Sequence, residues 1–192
     1  LAPRLQIFVS VGPDLQEERE FLGQALARFP ASLGWALSYT PSSDQHHPPD
    51  PGPIASSDFY LLILGGDIWA PMGWELSTAQ RFGKRPLAFA KKTDRTPAAL
   101  VFYRQADVSW ERFETAASLS HHVQTKLATR LVAEPERYGL AVEEWQTLSA
   151  FLQERVALSP EQVTGQGAGE SGVILSPGSD AGAGGVFIQG ET

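Results

Sequence analysis

The sequence predicts an α/β fold with a parallel sheet at its centre, and three observations carry that prediction. Phe59 to Leu64 (FYLLIL) is a continuous apolar run without polar alternation. A run so short and so uniformly apolar suits a strand buried on both faces, as in the middle of a parallel sheet. Leu87 to Ala90 (LAFA) is a second such run. Between them, Pro71 to Gly83 has helical spacing and places Met72, Leu76, Ala79 and Gly83 on one face. The result is a strand–helix–strand unit. Ligands of such sheets sit beyond the carboxyl ends of the strands, where Gly65 to Glu75 lies. Glu75 is one position off the buried face, so its carboxylate can lean over that edge.

In chain order, Leu5 to Val11 (LQIFVSV) reads as the first strand. Gly12-Pro13-Asp14 breaks it, and Asp14 is a good helix N-cap. Glu17, Glu18 and Glu20 fall early in the following helix, where negative charge suits the dipole. Leu15, Arg19, Leu22, Ala25, Leu26 and Phe29 form its core face, and Pro30 closes it. Trp35 to Thr40 (WALSYT) reads as the second strand. Pro41 to Ser57 holds five prolines among polar filler, which forbids regular structure apart from a turn at Pro53 to Ser56. A doubly wound fold normally places a helix there, and a loop of that length serves either a function or nothing but slack.

Gly65-Gly66 turns the chain after the central strand, and Pro71 suits the first position of the next helix. Lys84-Arg85-Pro86 ends that helix. Thr96-Pro97 looks like a cap followed by a first-turn proline, so Ala98 to Gln105 is assigned as helix, although Val101-Phe102-Tyr103 also suits a strand. A short last strand is placed at Val108 to Trp110. Two amphipathic helices follow, about Glu111 to Val132 and about Val142 to Leu158. Beyond Ser159 half of the chain's 18 glycines accumulate with no Lys or Arg, and two short β segments flank a Gly-rich turn. Alone they bury too little surface to be stable. The expected organisation is therefore an α/β domain over 1–133, a helix over 134–158 and a linker or incipient β module over 159–192.

Bulk properties narrow the function. The 192 residues suffice for one domain with a real core, and 42% hydrophobic with 19% charged content is ordinary for a folded soluble protein. A net charge of −7 and a pI near 5.1 argue against a general nucleic-acid binder. Without cysteine there is no disulfide scaffold, thiolate metal site or thiol nucleophile. No secretory signal and no run near the ~20 apolar residues of a membrane helix is present, so a cytoplasmic location is the default expectation. The first residue is leucine, which reads as a piece excised from a longer chain.

The order FVSVGPDLQEERE, SDFYLLILGGD, GWELSTAQRFGKRPLAF, RFETAASLSHHVQTKL resembles a bacterial TIR-like domain family found at the N-termini of large proteins with STAND ATPase or repeat regions. More distantly, GWELSTAQRFGKRPL resembles the glutamate-bearing helix of TIR domains and of nucleoside 2-deoxyribosyltransferases. The resemblance spans roughly Arg4 to Val132. It implies a flavodoxin-like sheet of five parallel strands in the order 2-1-3-4-5. It also implies a glutamate acting at an N-glycosidic bond, and the matching position is Glu75. NAD or a related nucleotide is then a substrate or ligand rather than a resident cofactor. The implied partners are like domains that self-associate and a covalently attached C-terminal effector or repeat region. Two departures stand out: the Pro41 to Ser57 loop in place of the second helix, and the missing aspartate-rich nucleoside pocket.

Cleavage of a ribose–base bond develops positive charge on the sugar, which a fixed carboxylate such as Glu75 can stabilise or attack. The plainer alternative is a helix-front glutamate that merely suits the dipole. Ser10, Gly12 and Asp14 adjoin the same edge and could hold ribose hydroxyls or a phosphate, or Asp14 could simply cap a helix. With Gly65, Gly66 and Asp67, Trp69 and Trp74 complete the expected substrate-binding set, stacking a base or merely packing. Arg19 could reach a phosphate or snorkel along its helix. His46-His47 and His121-His122 lack metal-ligand spacing, so no metal site is assigned. No P-loop, G-x-G-x-x-G or G-x-S-x-G occurs. The alternative function, from a different class, is a catalytically silent module that senses a nucleotide or binds a protein partner.

Overall fold

The computed structural model describes residues 5–30, 35–39 and 50–157. The glycine-rich segment 159–192 and most of the proline-rich stretch, 40–49, lie outside the described residues, as do His46-His47. Five strands form one sheet: β1 (Leu5–Val11), β2 (Trp35–Tyr39), β3 (Phe59–Leu64), β4 (Leu87–Lys91) and β5 (Trp110–Phe113). The order is β2-β1-β3-β4-β5 and every pairing is parallel. This is the doubly wound, flavodoxin-like arrangement. The helices are α1 (Gln16–Ala27), α2 (Gly52–Ser56), α3 (Ala70–Arg81), α4 (Pro97–Gln105), α5 (Ala116–Ala133) and α6 (Val142–Ala157).

Every residue of β3 is buried, as its unbroken apolar run requires. Side-chain alternation then sorts the sheet into two cores. Ile7, Val9, Val11, Phe59, Leu61, Ile63 and Phe89 face α1, α5 and α6, where Leu22, Leu26, Val123, Leu127 and Leu148 meet them. Phe8, Tyr60, Leu62, Leu64 and Ala88 face the other way, against Ile54 of α2, Met72, Leu76 and Ala79 of α3, and Ala99 of α4. The helix α6 joins the first core through Leu148, and Phe151 meets Phe29 edge-on with ring centroids 5.9 Å apart.

The turn expected at Pro53 to Ser56 is present as the five-residue α2, held by the wholly buried Ile54 in the second core. Three expectations shift. β5 begins at Trp110 rather than Val108. Hydrogen bonds Ala106 N–H to Phe102 O and Val108 N–H to Ala106 O hold the chain in a tight turn until Trp110 reaches register with Ala88. The helix α5 starts at Ala116, not Glu111, since Thr115 and Ser118 form a reciprocal capping box there. Finally, Gly83 is not on the buried face of α3. Its φ of 66° is left-handed, and it ends the helix with Gly83 N–H bonded to Gln80 O and Lys84 N–H to Ala79 O.

Candidate functional site

The strand order reverses between β1 and β3, since the chain leaves β1 toward β2 on one side and β3 toward β4 on the other. The carboxyl ends of these two strands therefore form the topological switch point where ligands of open α/β sheets bind. Of the residues singled out in the sequence, Ser10, Gly12, Asp14, Gly65, Gly66 and Asp67 converge on it. Ser10 stands opposite Leu62, and the loops Gly12–Leu15 and Gly65–Ile68 leave the two strand ends side by side.

Glu75 is brought to Ser10. The Ser10 hydroxyl donates to Glu75 Oε2 at 2.6 Å, linking the second turn of α3 to the end of β1. The alternation of β1 points Ser10 to the α3 side with Phe8, while Glu75 falls among the buried positions Met72, Leu76, Thr78 and Ala79. The carboxylate is not at an open rim: Glu75 is 1% exposed and Ser10 0%. Tyr60, stacked on Phe8 with ring centroids 5.8 Å apart, completes a buried polar cluster. Burial holds its phenol far above the ordinary range, opposed in part by Ser10 and reinforced by the charge of Glu75.

Asp14 does not cap α1. Its Oδ2 crosses to the neighbouring loop and accepts from the backbone N–H groups of Gly66 at 2.9 Å and Asp67 at 3.3 Å. Those two amides form the kind of backbone concavity that holds anions, and here the chain's own carboxylate sits on it. The adjoining glycines explain how it fits. A Cβ on Gly12 would lie 2.6 Å from Asp14 Oδ1, and one on Gly65 would collide with Oδ2 and stand 3.0 Å from Leu15 Cγ. Asp67 is tied away from Glu75: its Oδ1 accepts from Thr96 Oγ1 at 2.7 Å and from Ile68 N–H at 2.8 Å. Trp69 is half-buried against the second core, and Trp74 is 38% exposed on a different face of α3 from Glu75. The two tryptophans thus do not enclose the glutamate together.

Sequence reasoning missed a second buried carboxylate at this end of the sheet. Glu18 is 2% exposed and pairs with Lys91, at the end of β4, over 2.5 Å. The signal was the spacing: Glu18 precedes Leu22 and Leu26 in steps of four, so it shares their stripe. Arg19, the position read as part of that stripe, is only half-buried and stacks over the Tyr39 ring at 4.2 Å. Thr96 is more than the helix cap its sequence predicts. It does accept from Ala99 N–H, and its own N–H also donates to Gly66 O, binding the β3 and β4 loops together. His121 and His122 lie on α5, away from the switch point, with His121 against Arg155 and His122 facing Glu111.

Glu75 and Glu18 lie on opposite faces of the sheet and share no chemistry. Three clefts of about 350, 320 and 360 Å³ lie elsewhere and are lined by none of Ser10, Asp14 or Glu75. Among the described residues no helix is long and apolar enough to cross a membrane. No family model matches the chain, and no curated protein matches it in sequence. Among the solved structures similar to it are two with partial coverage. One is CapF with the inhibitor 3-isopropenyl-tropolone, at 10% identity and a TM-score of 0.34, covering 57% of this chain and 30% of that one. The other is a Salmonella typhimurium LT2 protein described as sugar-binding, at 14% identity and a TM-score of 0.39, covering 79% of this chain and 43% of that one. This chain spans less than half the length of either, and likenesses of this size carry no functional argument.

Proposed function

We propose that this chain is a TIR-like, nucleotide-handling domain of a bacterial signalling or defence protein, with Glu75 as its functional carboxylate. The observation that supports this reading is the Ser10–Glu75 hydrogen bond, which seats an acidic group beside the switch point of a flavodoxin-like sheet. In this reading the substrate is NAD or a related nucleotide. Its ribose–nicotinamide bond breaks, nicotinamide departs with the bonding electrons, and the carboxylate stabilises the positive charge left on the sugar. Water then adds to that carbon and releases its proton to solvent. With Glu75 enclosed in this conformation, the loops after β1 and β3 must part for a nucleotide to enter. Self-association of like domains is the proposed means, with an attached region as the effector.

A specific observation favours the second reading, a catalytically silent nucleotide sensor or protein-interaction module. Glu75 is 1% exposed, and Asp14 occupies the amides of Gly66 and Asp67 where a phosphate would bind. One assay separates the two. The domain is incubated with NAD at dilute and at high concentration, and nicotinamide release is compared with Glu75→Gln. Release by the native chain that Glu75→Gln abolishes supports the enzyme. No release at high concentration, or equal release by the variant, leaves the silent module.

A further inference from the structure

The opposite, amino end of the sheet carries a cleft with chemistry of its own. It has a volume of about 350 Å³ and lies where the chain enters β3 and β4, walled on the far side by the C-terminal part of α5. That volume is within the range of about 300–1,000 Å³ occupied by small-molecule pockets. Four cations line it: Lys84, Arg85, Arg130 and Arg137. The two acids present are already engaged. Asp58 Oδ2 accepts from Gln6 N–H at 2.7 Å, and Glu134 Oε2 accepts from Arg137 at 2.8 Å. Four positive against two negative charges leave the cleft at +2 in a chain whose net charge is −7.

Two of the cations, Lys84 and Arg130, are held by backbone carbonyls, while Arg137 is paired with Glu134. Lys84 Nζ donates to the carbonyls of Ala55 and Ser57, and Arg130 donates to the carbonyl of Arg85 at 2.8 Å. Arg85 itself is exposed, and among the described residues its guanidinium makes no hydrogen bond. Burial lowers the pKa of Lys84, opposed by Asp58 and reinforced by repulsion from Arg137; burial also lowers that of Arg130, opposed by Tyr138 and Glu134 and reinforced by repulsion from Arg85 and Arg137. An anion seated among them would relieve that repulsion. Phe82, 51% exposed, lines the same cleft and offers an apolar wall.

We propose that this cleft binds a compact phosphorylated anion, in a site separate from the switch point. The concave shape and the +2 charge select a small ligand with one or two phosphate groups, and arginine forks match phosphate oxygens. The site is independent of the Glu75 reading, because the two lie at opposite ends of the strands.

The test is isothermal titration of the chain with pyrophosphate and, separately, with adenosine monophosphate, at 50 mM and 300 mM salt. Four proteins are compared: native, Arg85→Glu, Arg130→Gln and Glu75→Gln. Arg85→Glu is the decisive variant, since its side chain is exposed and makes no hydrogen bond among the described residues. Expected are binding of at least one probe at low salt, a tenfold or greater loss in Arg85→Glu and in Arg130→Gln, weakening at high salt, and no change in Glu75→Gln. Absence of binding at millimolar probe, or binding that Arg85→Glu leaves within twofold, overturns the proposal. Binding lost in Glu75→Gln but retained in Arg85→Glu also overturns it, by assigning the anion to the switch point.

Discussion

Gly65→Ala tests the geometry of the switch point directly. The backbone of Gly65 is not in the left-handed region, so the substitution introduces no dihedral strain and acts only through the added methyl. That methyl collides with Asp14 Oδ2 and stands 3.0 Å from both Asp14 Cγ and Leu15 Cγ. Asp14 must then leave the amides of Gly66 and Asp67, whose hydrogen bonds to an exposed carboxylate contribute about 1–2 kcal/mol together. Residual crowding against Leu15 adds about 1 kcal/mol. The expected loss is about 2–3 kcal/mol for Gly65→Ala and about 1–2 kcal/mol for Asp14→Ala. Because the first acts mainly by evicting Asp14, the double variant should be less destabilised than the sum, with a coupling of about 1 kcal/mol or more. Urea denaturation followed by circular dichroism measures all three differences. Additivity to within about 0.5 kcal/mol would refute the claim that the Asp14 carboxylate fills the space beside Gly65.

Lys91→Met should cost about 3–5 kcal/mol, because it strands the buried Glu18 carboxylate, whereas adding Glu18→Leu should recover most of that loss. A Lys91→Met loss under about 1 kcal/mol in the same denaturation assay contradicts the pairing. Glu75→Ala should destabilise by about 2–4 kcal/mol through a cavity in the second core and an unsatisfied Ser10 hydroxyl. Glu75→Gln, which keeps an acceptor for Ser10, should lose less than half as much, and equal melting temperatures for the two variants would argue against that bond. Burial, helped by Arg155 and His122, lowers the pKa of His121 below its ordinary 6.5, so the unfolded chain binds the proton more readily than the folded one. Stability associated with His121 is therefore present above pH 6.5 and declines as pH falls through that value. The effect is small because the ring is exposed, and His121→Gln should flatten it in denaturation midpoints compared between pH 5.5 and 7.5.

The sequence by itself determined the layered α/β architecture, because an unbroken apolar run and helical spacing are local signals of burial on two faces and on one. It also placed Ser10, Gly12, Asp14 and Gly65 at a common edge, since parallel strands deliver their carboxyl ends to the same side of the sheet. Only the tertiary structure decided what those residues do. Asp14 obeys every local rule for a helix cap, yet two amides 52 and 53 residues away hold its carboxylate instead of its own helix. Glu18 looks like a solvated first-turn acid until β4 delivers Lys91 to it. Glu75, one step off the apolar stripe, was legible as a carboxylate near the edge, but its enclosure depends on how closely α3 packs against β1. Hydrogen bonds and ion pairs between distant segments are set by the register of strands and helices, and no window of sequence contains both partners.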